Sequence, residues 1–130
     1  MTLNFTKMNG AGNDFVVIDN RALDQNLSKA QIAHLCDRHR GVGADGLLAV
    51  EPAENGADAK FRYYNADGGE AEMCGNGARC FGRYTARLIG GDRTDITFET
   101  IAGTLRAELI GHEVRIDMSE YGEGTVGIEK

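Results

Sequence analysis

The sequence has little of what membrane proteins, disulfide-rich proteins and nucleic-acid-binding proteins need. It contains no tryptophan, one proline and three cysteines among 130 residues. No apolar run approaches the ~18 residues of a membrane-spanning helix, so we expect no membrane association. The formal net charge is −6 and there is no basic run, which argues against nucleic acid as a partner.

The cysteines and the N-terminal sequence concern location and metal binding. MTLNFTKMNG lacks the apolar core of a signal peptide, so we expect a cytoplasmic protein. Cys36, Cys74 and Cys80 are an odd number for a disulfide framework and are better explained as buried or reactive thiols. Three histidines and no Cys-x-x-Cys pair give little support to a metal site.

What is present is typical of one globular domain. Hydrophobic residues make up 42% and charged residues 26% of the chain, and the length suits a single core. The 18 glycines are about twice the usual ~7% and cluster at a few sites, where the backbone must turn or approach a ligand.

Apolar periodicity predicts an α+β fold with about seven strands and two helices. Ser28 and Gln31 form a capping box for a first helix that ends near 38–41. Asn76 is the predicted N-cap of a second helix, 78–88, with Arg79, Arg83 and Arg87 as its exposed row. We expect a mostly antiparallel, curved or barrel-like sheet wrapped on this second helix. The predicted strands are 5–8, 15–19, 46–51, 60–64, 96–100, 105–109 and 114–118.

The segment around Cys74 carries the clearest chemical signal. Cys74 stands directly before a glycine-rich turn, Gly75 to Gly77, that opens the second helix. Unpaired N–H groups at a helix start can hold a carboxylate, and the helix dipole there lowers the pKa of a thiol. The pattern therefore favours acid–base chemistry next to a carboxylate, with an inert buried thiol as the alternative. Cys36 and Cys80 fit the buried interpretation better.

Two asparagines near strand ends are further candidates. Asn13 and Asn65 lie in loops next to apolar strands. Such asparagines either cap a loop or contact a ligand, and position alone does not decide between the two.

Three longer motifs, in order, resemble diaminopimelate epimerase: GAGNDFVVID, DRHRGVGADG and YNADGGEAEMCGNGARCFGRY. The similarity runs from about residue 5 to 118. It implies an isomerase without pyridoxal phosphate, metal or other cofactor, which interconverts LL- and meso-diaminopimelate, a precursor of lysine and peptidoglycan. It also implies a homodimer for the full-length enzyme.

The family's mechanism places two cysteines on opposite faces of the substrate α-carbon. The resemblance makes Cys74 one of them, with Asn13 and Asn65 hydrogen-bonding the substrate. Gly75 and Asn76 would bind the carboxylate at the reacting carbon through their backbone. Asp67 and Glu70 are expected to brace the loop rather than to act in catalysis.

The resemblance covers about the first half of the family enzyme, so the second cysteine has no counterpart here. We expect 1–118 to be an N-terminal domain, with 119–130 a polar linker or tail and the second lobe absent. The chain alone is then expected to be inactive. Three alternatives remain: another cofactor-independent racemase of the same build (proline-racemase-like or phenazine-biosynthesis-like), a non-catalytic half-domain that binds a ligand or partner, and a thiol redox protein using Cys74 and Cys80.

Overall fold

The computed structural model describes residues 2–72 and 75–117. These residues form one sheet of eight strands and two helices. The strands are β1 (Thr6–Gly10), β2 (Asn13–Asp19), β3 (Gly46–Glu51), β4 (Ala59–Asn65), β5 (Glu70–Ala71), β6 (Asp95–Thr100), β7 (Gly103–Ile110) and β8 (Glu113–Asp117), and the helices are α1 (Lys29–Cys36) and α2 (Gly75–Ile89).

The sheet curls around α2. Its strand order is β1-β2-β3-β4-β6-β7-β8, with β5 paired to β4. The β2–β3 and β4–β6 pairs are parallel and the other pairs are antiparallel. Helix α2 contacts all seven strands of the main path. The expectation of a mostly antiparallel, curved sheet wrapped on the second helix is confirmed.

Successive side chains of a strand point to opposite faces of the sheet, and in the central strands both faces are buried. All six residues of β3 are buried, because α2 covers one face of the sheet and α1 the other. The α2 side holds an aromatic cluster in which the Phe81 ring lies 4.9 Å from those of Phe61 and Phe98. This cluster anchors α2 along the inside of the sheet.

Helix α1 begins as predicted and ends earlier than predicted. Ser28 Oγ accepts a hydrogen bond from the Gln31 N–H at 3.1 Å, and Gln31 Oε1 accepts one from the Ser28 N–H at 2.8 Å. The helix ends at Cys36 rather than at 38–41, because Asp37 has an extended backbone (φ −69°, ψ 123°). Buried Ile32 and Cys36 attach α1 to the sheet.

Helix α2 begins at Gly75, so the prediction of Asn76 as its N-cap is wrong. Asn76 lies in the first turn instead. The prediction took the glycine-rich segment 75–77 as a turn before the helix, whereas these residues form its first turn and Gly77 is buried.

The predicted exposed row of arginines on α2 is only partly correct. Arg79 and Arg87 are exposed, whereas Arg83 is half-buried. Its guanidinium donates to the carbonyl oxygens of Gly111 (3.1 Å) and Glu113 (3.3 Å), in and after the β7–β8 turn. Arg83 therefore ties the helix to the last described strands.

Two local features were missed in the sequence. The β1–β2 hairpin is tighter than expected, since only Ala11 (φ 54°) and Gly12 (φ 98°) separate its strands, as in a two-residue primed turn. Strand β5 is two residues long and carries no periodic signal. The tail 119–130, and Met118 of the last predicted strand, lie outside the described residues. Within 2–72 and 75–117, no helix has the length and apolarity to cross a membrane.

Candidate active site

The candidate site lies at one end of the sheet, where α2 starts. Gly46, at the start of β3, pairs with Phe15 of β2 on one side and with Asn65 of β4 on the other. This register brings the start of β2 and the end of β4 to the same end of the sheet. Side chains two residues apart on a strand point to the same face of the sheet. Phe15 and Tyr63 pack on the face that α2 covers, so Asn13 and Asn65 belong to that face as well.

The first turn of α2 is joined directly to the β1–β2 hairpin. Asn76 Nδ2 donates a hydrogen bond of 2.7 Å to Asn13 Oδ1. Gly75 precedes Asn76 and is exposed. The structure thus brings together three of the sequence-predicted residues, Asn13, Gly75 and Asn76, around the positive end of a 15-residue helix.

A carboxylate behind Asn13 completes this connection. Asp45 Oδ2 accepts hydrogen bonds from Asn13 Nδ2 (3.2 Å) and from the Asp14 N–H (3.1 Å). Asp14 Oδ1 accepts in turn from the Asp45 N–H at 3.0 Å. The two aspartates therefore cap each other's backbone and fix the start of β2 against the residue before β3.

Asp14 carries the strongest charge pairing near the site. Arg38 donates to both of its carboxylate oxygens, at 3.0 and 2.9 Å, and Lys7 lies 3.3 Å away. The Arg38 hydrogen bonds hold the pKa of Asp14 well below its usual range, and the Asp45 N–H and Lys7 act in the same direction against a smaller effect of burial. Asp14 is an ionised structural group.

Asn65 stands at the base of the loop that leads towards Cys74. Its backbone N–H donates to the Gly69 carbonyl and its own carbonyl accepts from the Gly68 N–H, both at 2.9 Å. Its side chain is exposed at the end of β4. The structure therefore places Asn65 at the site end of the sheet and gives its backbone a part in the loop.

The loop is held by the two acidic residues assigned to that task. Asp67 Oδ1 accepts from the Gly69 N–H at 2.8 Å. Glu70 accepts from Arg62 through both oxygens, at 2.6 and 2.9 Å. Both carboxylates thus have structural contacts in the 65–71 segment.

The three thiols differ in what the structure says of them. Cys74 lies outside the described residues. Cys36 is buried, and desolvation raises the pKa of its thiol, with Asp14 adding to the effect. Cys80 is also buried, so close to β1 that a Cβ at Gly10 would lie 2.9 Å from its Sγ.

Positive charge also lies beside the start of α2. Arg79 Nη1 is 3.3 Å from the position a Cβ would take at Gly75. Arg79 and Arg83 line a groove of about 450 Å³ between β1 and the β7–β8 turn. As for metals, the described residues contain no cluster of three or more histidine, cysteine, aspartate or glutamate side chains able to hold an ion.

Sequence reasoning missed Asp14, Arg38 and Asp45 as parts of this site. The last two lie in the motif DRHRGVGADG, which was used only for its resemblance. A signal was available, because Asp45 directly precedes the apolar strand 46–51 and so falls at a sheet end. The ion pair between Arg38 and Asp14 joins residues 24 positions apart, so it leaves no local pattern in the sequence.

Two solved structures share the fold of this chain. A predicted epimerase from Pseudomonas aeruginosa aligns with a TM-score of 0.60 and 17% identity over 87% of this chain and 41% of that one. A PhzF-family phenazine biosynthesis protein from Bacillus anthracis aligns with a TM-score of 0.54 and 21% identity over 82% of this chain and 34% of that one. At these identities the likeness shows the fold, a lobe formed by a sheet curled around one helix.

Sequence comparisons show the family. The family model for diaminopimelate epimerase matches residues 5–125. The diaminopimelate epimerase of Nitrosospira multiformis is 49% identical over 119 residues, and that of Caldanaerobacter subterraneus is 50% identical over 108 residues. The chain belongs to the diaminopimelate epimerase family.

The match covers only part of the relatives. It includes 91% of this chain but 43% of the Nitrosospira protein, and 82% of this chain but 38% of the Caldanaerobacter protein. The chain therefore spans less than half the length of these curated relatives.

Proposed function

We propose that this chain forms one wall of the active site of a cofactor-independent epimerase that interconverts LL- and meso-diaminopimelate. The observation that carries the proposal is the convergence of Asn13, Gly75 and Asn76 at the first turn of α2. Cys74 immediately precedes this turn in the sequence. Relatives that carry the name diaminopimelate epimerase support the choice of substrate.

The start of α2 suits the carboxylate attached to the reacting carbon. The first N–H groups of a helix have no partners within it and point outward, and the helix dipole adds positive charge there. Gly75 lets a ligand approach the backbone closely, and the Arg79 guanidinium lies beside it. A carboxylate held here would also be held while negative charge develops at the neighbouring α-carbon.

Proton transfer is the part we assign to Cys74. Its thiolate would remove the proton from the α-carbon. The negative charge that develops would be stabilised by the N–H groups at the start of α2, which bind the neighbouring carboxylate. A second thiol, beyond this chain, would deliver a proton to the opposite face, which inverts the centre. Cys36 and Cys80 are poor replacements because both are buried.

Because this chain supplies one cysteine and one wall, we propose that it does not epimerise on its own. An active site open on one side admits water, which weakens the electrostatic interactions that the chemistry needs. A second candidate function, binding of the ligand without turnover, is favoured by one observation: the chain matches 43% of its Nitrosospira relative.

The proposal is tested with the 130-residue chain and LL-diaminopimelate in two NMR experiments. We expect the ligand to shift the backbone amides of Gly75 and Asn76, while those of Gly90 and Gly91, beyond the other end of α2, stay unchanged. In D2O we expect no meso isomer, and any loss of the α-proton signal should vanish in Cys74→Ala. Ligand shifts that avoid Gly75 and Asn76, or α-proton loss that persists in Cys74→Ala, would contradict the assignment.

A further inference from the structure

Three polar residues behind the site form a hydrogen-bonded series in which the donor and acceptor of each bond are fixed. It runs from Asp45 through Asn13 to Asn76, with contacts of 3.2 and 2.7 Å. Asp45 and Asn76 are 31 residues apart in sequence and lie on different elements, and the Asn13 side chain connects them. The side-chain amide of Asn13 therefore links Asp45 to the first turn of α2.

The charge on Asp45 decides which group donates in each bond of this hydrogen-bonded series. An ionised carboxylate only accepts hydrogen bonds, so Asn13 must turn its NH2 group towards Asp45. Its carbonyl oxygen then faces the other way and must accept, and the donor is Asn76 Nδ2. Asn76 in turn directs its own Oδ1 away from Asn13. Asp45 thus sets which atoms both amides present at the start of α2.

Asp45 has hydrogen-bond donors on both of its oxygens. Its Oδ2 receives two donors, Asn13 Nδ2 and the Asp14 N–H, while its Oδ1 receives Arg38 Nη2 at 3.3 Å. Every described neighbour on both oxygens is a donor. An amide at this position would have to turn its own NH2 either towards Arg38 or towards the Asn13 and Asp14 donors.

We propose that Asp45 is a positioning residue of the site, which acts through Asn13 to fix the orientation of the Asn76 amide at the first turn of α2. The proposal rests on the proposed function for its meaning in catalysis. Its geometry, however, concerns only the described residues and needs no substrate. Asp45 contacts Asn13 and does not belong to the residues assigned to the reacting atoms.

The test uses the 130-residue chain and the side-chain amide signals of Asn13 and Asn76 in 15N–1H spectra. In Asp45→Asn, which keeps shape and removes charge, we expect both NH2 groups to shift and to exchange with solvent about tenfold faster. The matched control is Asp58→Asn, because Asp58 also accepts a backbone N–H (Thr97, 2.9 Å) and an arginine (Arg93, 2.8 Å), but at a different place. It should leave both amides unchanged.

A double-mutant cycle separates positioning from general loosening of the fold. In an Asn13→Ala background, Asp45→Asn should have no further effect on the Asn76 amide, because the connection is already cut. An equal effect with and without Asn13, or an Asn76 amide that does not respond to Asp45→Asn in a folded chain, would overturn the proposal. Neither readout involves diaminopimelate, so its failure is distinct from failure of the proposed function.

Discussion

The two faces of the sheet are built from the same strands but hold different interiors. On the α2 face, the rings of Phe61, Phe81 and Phe98 pack against one another in a continuous apolar cluster. On the α1 face, a smaller cluster borders a cavity of about 140 Å³ that reaches polar side chains. There Glu51, only 9% exposed, accepts hydrogen bonds from Asn20 and Arg62, both at 3.2 Å.

This difference bears on the position of the candidate site. The aromatic cluster and the contacts of α2 with the strands around it hold the helix against the sheet, so its first turn is held in place from behind. The α1 face is joined partly by polar contacts, which depend on pH and salt more than apolar burial does. A site that needs helix N–H groups at fixed positions is therefore best placed at the end of the α2 face.

Truncation of the aromatic cluster should destabilise the chain more than any other change considered. Phe81 is fully buried, and Phe81→Ala should lower the free energy of unfolding by about 3–5 kcal/mol. A matched pair on β3 compares the faces, because Leu48 packs in the α2-side cluster and Leu47 borders the α1-side cavity. Both Leu→Ala changes should cost about 2–5 kcal/mol, with the larger loss at Leu48. Urea denaturation measures these losses, and equal losses at Leu47 and Leu48 would show that the two faces contribute alike.

Close packing of α2 on the sheet is tested by adding one methyl group. A Cβ at Gly82 would lie 2.9 Å from Ala107 Cβ on β7. Gly82→Ala should therefore destabilise the chain by about 1–3 kcal/mol, even though alanine favours helices by ~1 kcal/mol. A rise in the urea midpoint of this variant would mean that helix and sheet are less tightly packed than described.

The three thiols should differ in reactivity with iodoacetamide near pH 7.5. Burial slows Cys36 and Cys80, and desolvation raises the pKa of Cys36. We expect Cys74, the proposed base, to be modified at least about tenfold faster than either. Mass spectrometry of the folded chain measures the three rates, and the urea-unfolded chain, in which all three are accessible, is the control. Faster labelling of Cys36 or Cys80 would remove the basis for assigning Cys74 as the reactive thiol.

The smallest effect concerns the acid dependence of stability. Hydrogen bonds from Arg38 hold the pKa of Asp14 below the ordinary 3.8. A carboxyl group with a lowered folded-state pKa stabilises the fold above about pH 4, and that stabilisation is lost as the pH falls further. Asp14→Asn should cost ~1 kcal/mol or less at pH 7, because Arg38 is 55% exposed. As the pH is lowered from 5 to 2, the free energy of unfolding of Asp14→Asn should also fall less steeply than that of the unmodified chain. An unchanged slope would show that Asp14 does not titrate as described.

The sequence predicted much of the architecture, since periodicity identified most strands, both helices and the capping box at Ser28. It did not predict where α2 begins, because glycine and asparagine have low helix propensity, yet Gly75, Asn76 and Gly77 form the first turn of the helix. The local motif was enough to select Gly75 and Asn76 as candidates. Asp45 could have been selected from its position before an apolar strand, but its contact with Asn13 and the contact of Arg38 with Asp14 join segments 24 to 32 residues apart and leave no local pattern.

We propose that this chain provides one wall of a two-cysteine epimerase site. The most direct test replaces the matching N-terminal segment of the Nitrosospira multiformis relative with residues 1–125 of this chain. We expect the folded chimera to convert LL- to meso-diaminopimelate in D2O, with loss of the α-proton signal. Cys74→Ala in the chimera should slow conversion by at least about a hundredfold. A Cys74→Ala chimera as fast as its parent, or a folded chimera that does not convert the substrate while the unmodified relative does, would contradict it.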